Sequence, residues 1–147
     1  MDAFEAISLP DSSALSCRKR FSLAEANRSL TLVRRIVADI VREYGRLREL
    51  HSSCRLHEAE GDTARAEEAR GRYIQVTDRL SALREELEEI GCELKDYANG
   101  LVDFPARHNG RDVLLCWMLG EEKISWWHEI DAGAKGRQPV GSDWDAE

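Results

Sequence analysis

From Phe21 onward the apolar positions recur in alternating steps of three and four: Leu23, Ala26, Leu30, Val33, Val37, Ile40, Tyr44 and Leu47, then His51 and Cys54. This spacing keeps one stripe of a long α-helix apolar and has the heptad form of a helix that packs against another. Ser22 followed three residues later by Glu25 predicts a capping box at its start, because each side chain can satisfy the other's backbone amide. A second seam runs through Ala66, Ala69, Tyr73, Val76, Leu80, Leu83, Leu87 and Ile90, and Gly91 supplies a C-terminal stop. Between them, Gly61 breaks the first helix and Asp62 or Thr63 can cap the second. The expectation is an antiparallel hairpin of two long helices, coiled-coil-like, the first running from Ser22 to about Glu58 and so roughly 55 Å long. Ile36, Val41, Leu50 and Leu56 fall off the seam. Their apolar surface leads us to expect a homo-oligomer in which two hairpins meet as a dimeric four-helix bundle, with a tetramer as the larger option.

After Gly91 the period changes to that of strands. Leu101 to Phe104 is a short strand candidate ended by Pro105, and His108-Asn109-Gly110 is a turn. Asp112 to Leu119 and Lys123 to Asp131 read as two strands around Gly120-Glu121-Glu122-Lys123. A four-residue loop there pairs Leu119 with Ile124, Trp117 with Trp126, Leu115 with His128 and Val113 with Ile130. That register puts Cys116 opposite Trp127 and on the other face from His128. Both faces carry large apolar groups, so both need cover, one from the helices and one from the tail or a second subunit. The predicted fold is α+β: a lead-in over 1–20, one domain over 21–140 made of the helical hairpin (21–91) and a small antiparallel β-hairpin module (92–140), and a tail over 141–147.

Composition narrows the partners. The 147 residues suit one domain, and 33% of them are charged, which fits long helices with solvated outer faces. A net charge of −7 and a pI near 5.2 disfavour nucleic acid and anionic membranes, and Arg18-Lys19-Arg20 is too short to reverse that. No stretch of about 18 apolar residues is present to span a membrane. The first residues lack a basic start and an apolar core, so we expect a cytoplasmic chain. Cys17, Cys54, Cys92 and Cys116 form no CxxC pair and are read as reduced thiols.

The candidate chemistry gathers around the stretch WWHEID, residues 126 to 131. Asp103, His128, Glu129 and Asp131 are ligand types for a divalent metal, with His128, Glu129 and Asp131 the nearest in sequence. Alternation along a strand separates His128 from Glu129 and Asp131 unless a bulge intervenes. Arg107, Arg111 and Arg137 can grip an anion, and GAKGR can form an anion-binding loop. The competing structural reading is a hydrogen-bonded core His128, with Glu129 and Asp131 paired to those arginines. A nucleophilic Cys116 with His128 as base is not built by the expected register, and a buried thiol is the simpler reading. His51, Cys54 and His57, three residues apart, drift round their helix and make a poor common site.

The stretch GLVDFPARHNGRDVLLCWMLGEEKISWWHEIDAGAKGRQPV, residues 100 to 140, with FSLAEANRSLTLV before the helices, resembles an uncharacterised bacterial family catalogued as domain of unknown function 2203. The VDFP turn, the LCW strand, the GE turn, the WHE strand and the GRQP end carry the resemblance. It implies a small cytoplasmic protein and assigns no reaction. Two functional expectations stand. One is an oligomeric cytoplasmic interaction or scaffold protein, a role suited to two helical seams and four tryptophans. The other is a small-molecule or metal-binding site in the β-module, drawn from Asp103, Arg107, His128, Glu129, Asp131 and Arg137 and hydrolytic if a cation activates water there.

Overall fold

The computed structural model describes residues 19–146; residues 1–18 of the expected lead-in, with Cys17, lie outside them. Helices α1 (Leu23–Ala59) and α2 (Thr63–Ile90) form an antiparallel hairpin. The capping box is present, with Ser22 Oγ accepting from the Glu25 amide and Glu25 Oε1 from the Ser22 amide, each at 3.1 Å. Asp62 caps α2 by accepting from the Arg65 amide at 3.1 Å, and Gly91 ends it at φ 114°. Seam residues from Ala26 to Leu47, Tyr44 only partly, and from Ala66 to Leu87 are buried between the helices and against the sheet. The off-seam Ile36 is also buried within this one chain, whereas Leu56 is 58% exposed.

A five-stranded antiparallel sheet follows, in the order β1 (Glu93–Asp96), β2 (Leu101–His108), β3 (Arg111–Met118), β4 (Trp126–Glu129) and β5 (Gln138–Pro139). One face carries Val102, Phe104, Ala106, Val113, Leu115, Trp117 and Trp127 and joins the helices in a single core. Phe21 meets Phe104 edge-on at 5.3 Å, and Tyr44 of α1 stacks on Tyr97 at 5.6 Å. The turn at Gly100 presses against α1 so closely that a Cβ there would stand 2.7 Å from Val37 Cγ1. In the tail, Trp144 is buried and lies parallel to the His108 ring at 4.2 Å, with Asp143 Oδ2 3.0 Å from His108 Nε2.

Three expectations about the β-module are corrected. Strand β2 runs through Pro105, because Pro105 faces Phe21, not β3, on its backbone-polar side. The Pro105 carbonyl accepts from the Phe21 amide at 2.7 Å, so the missing N–H breaks no bond to β3. Strands β1 and β5 have no counterpart among the expected ones. The register of β3 on β4 is one residue from that expected: Val113 pairs with Glu129, Leu114 with His128, Leu115 with Trp127 and Cys116 with Trp126. The cause lies in the connection, which is no four-residue hairpin loop. Ile124 is buried and donates its amide to Asn27 Oδ1 of α1 at 2.9 Å, drawing residues 119–125 away from the ladder.

Candidate metal centre

A one-residue change of register turns every side chain of β4 to the other face. His128 therefore shares a face with Cys116 and Asp103, the sheet surface turned away from the helical core. Asp103 is the register partner of Cys116, and Leu114, two residues from Cys116, pairs with His128. The three side chains are 2%, 0% and 2% exposed for Asp103, Cys116 and His128. Their ligand atoms all lie within 4.8 Å of one another, which among the described residues marks a group able to hold a metal ion.

Hydrogen bonding fixes the state of the imidazole. Nδ1 lies 2.8 Å from the Glu129 carbonyl oxygen, which only accepts, so Nδ1 carries the proton. Nε2 then aims at Asp103 Oδ1, 3.1 Å away. A neutral ring would set a lone pair against a carboxylate oxygen. The contact therefore needs a proton between the two atoms, on Nε2 or on the carboxyl, or a bridging cation. The Asp103 hydrogen bond, followed by that of Cys116, pushes the imidazole up to about 10 against the opposing pull of burial. A histidine that donates one ring N–H to a backbone carbonyl while offering the other nitrogen is the common arrangement of a metal ligand.

The other sequence candidates lie apart from this cluster. Arg111 pairs with Glu129 at 2.8 Å, as the structural reading expected, and Arg107 approaches Asp112 at 3.6 Å. Asp131 is exposed. Arg137 holds both Glu121 oxygens at 2.9 Å and lies over the Trp126 ring at 5.2 Å, so GAKGR closes on the turn after β3. His51, Cys54 and His57 are partly exposed on α1, with Cys54 Sγ 3.5 Å from Glu58 Oε1. The expected register puts Cys116 and His128 on opposite faces; the observed one brings them to the same face.

The fold and the cluster define an α+β protein in which a helical hairpin backs a meander sheet bearing a buried His, Cys and Asp group. The chain belongs to the family described as Uncharacterized conserved protein (DUF2203), whose model matches residues 19–140. No curated protein and no solved structure matches it.

Proposed function

We propose that the chain is a metal-binding protein whose sheet carries one transition-metal centre, with Asp103, Cys116 and His128 as ligands. The observation behind it is the His128 ring, with Nδ1–H spent on the Glu129 carbonyl and Nε2 turned to Asp103. A donor set of one imidazole, one thiolate and one carboxylate disfavours magnesium and calcium, which take oxygen, and suits Zn2+. A thiolate ligand also fits a reducing, cytoplasmic setting. The test is Zn2+ content and affinity of the untagged chain by elemental analysis and competition with a chromophoric chelator. One tightly held equivalent is expected, lost in Cys116→Ser and His128→Ala. A wild-type chain that takes up no Zn2+ at micromolar concentration refutes the reading.

A homo-oligomeric interaction module built on the hairpin is the second reading. It draws on Leu32, Leu56 and Ile74, which are 52%, 58% and 55% exposed on α1 and α2. Light scattering at micromolar concentration distinguishes a dimer or tetramer from a 16.7 kDa monomer.

A further inference from the structure

Asp103 has a second register partner besides Cys116. On its other side stands Glu93 of β1, a carboxylate residue only 4% exposed. Residues directly opposite in an antiparallel pair point to the same face, with Cβ atoms about 4.5–5.5 Å apart. Glu93, Asp103, Cys116 and His128 thus come one from each of four adjacent strands and share one buried face. Two carboxylates facing each other across a strand pair repel, and burial sharpens the repulsion. His128 offsets Asp103 at 3.1 Å, and Lys95 offsets Glu93 at 3.1 Å.

We infer that Glu93 is the fourth protein ligand of this centre, closing it into a structural site that pins β1 to β4 together. The inference rests on the metal-centre reading. Three protein ligands leave a position for water, as in hydrolytic zinc sites, whereas structural sites are closed by a fourth. All four side chains here are nearly without solvent contact, which suits the closed form. Glu93 Oε1 sits with Lys95 Nζ and outside the 4.8 Å cluster, so its side chain must turn from the lysine to reach the ion. Lys95 is 28% exposed at its side chain and can be left to water. Charge favours the exchange. Two carboxylates and a thiolate around a dication leave one negative charge, which the neighbouring ammonium offsets.

Co2+, whose visible absorption reports coordination number and thiolate ligation, tests this in the full-length chain. Wild type should give a tetrahedral spectrum with a thiolate charge-transfer band, unchanged by added azide because no position is open. Glu93→Gln should bind Co2+ at least about tenfold more weakly, and its spectrum should shift with azide. Far-UV circular dichroism confirms that the variant is folded. An azide-sensitive wild-type spectrum, or a Glu93→Gln protein with wild-type affinity and spectrum, overturns the fourth-ligand inference while leaving the three-ligand centre standing. Failure of wild type to bind Co2+ or Zn2+ overturns both.

Discussion

With any bound ion removed by a chelator, the chain should show a pH dependence set by His128. Its imidazole rises from 6.5 to about 10 in the fold, first because of Asp103. A difference of that size corresponds to about 5 kcal/mol of stability when one pK step is 1.36 kcal/mol. Both partners are 2% exposed, so solvent screening removes little of it, and breaking a buried pair costs a similar 3–5 kcal/mol or so. The sign follows from the raised value. Below about 6.5 the ring is protonated in both states and the full contribution is present. Between 6.5 and about 10 the unfolded chain releases its proton while the folded one keeps it, so stability falls steadily and the contribution is gone above that. Urea unfolding of the chelated protein at pH 6 and pH 10 measures this, with Asp103→Asn as the reference that cancels the alkaline titration of lysines and tyrosines. Wild type should lose at least about 3 kcal/mol more than the variant over this interval. Parallel losses, or a His128 ring that titrates near 6.5 by NMR, would refute the reasoning. With Zn2+ bound the slope should reverse, because the ion needs a neutral imidazole and a thiolate.

Other changes probe the frame around the site. Gly100→Ala should cost about 2–4 kcal/mol in urea unfolding, because φ is 76° there and the new Cβ meets Val37 Cγ1 at 2.7 Å and Leu119 Cβ at 2.9 Å; a loss under about 0.5 kcal/mol would show that the turn shifts freely. Ser22→Ala should remove about 1 kcal/mol by opening the capping box, and an unchanged midpoint counts against that box. Trp144→Ala should cost about 3–5 kcal/mol and expose Trp127, 6.0 Å away, to a red shift in fluorescence. A wild-type melting curve and spectrum in that variant would mean that the tail does not cover this face.

The helical half was legible because each signal had one physical meaning. Ser22 and Glu25 are three apart for a capping box, the seam from Leu23 to Leu47 repeats at the helical period, and Gly91 takes the left-handed conformation that ends α2. Pro105 misled because proline forbids a strand only where its nitrogen would have to donate. Here that side meets Phe21 as a single bridge. The short β1 had no alternation of its own to announce it, since Glu93 is polar and buried while Leu94 beside it joins the core.

Register was the hidden variable for the site. Alternation locates a strand's faces only when one face is polar, and β3 is buried on both, with Val113, Leu115 and Trp117 on one side and Leu114 and Cys116 on the other. Composition cannot then tell one pairing from the next. The choice is made outside the hairpin, by Asn27 of α1, almost a hundred residues earlier in the chain, which takes the Ile124 amide. Glu121 adds to it, accepting from the Met118 amide at 2.8 Å through Oε1 while its backbone carbonyl accepts from Trp117 Nε1 at 2.9 Å. These contacts cap β3 at Met118 and hold the chain off until Trp126. The same step that corrects the pairing moves His128 from the apolar core face to that of Asp103 and Cys116. Had the four-residue loop formed, a histidine would lie among tryptophans with no acidic neighbour, and the carboxylate and thiol would face no imidazole. The meeting of Asp103, Cys116 and His128 therefore depends on a long-range contact between helix and loop. Asn27→Ala should disturb metal affinity as well as stability, although Asn27 is no ligand.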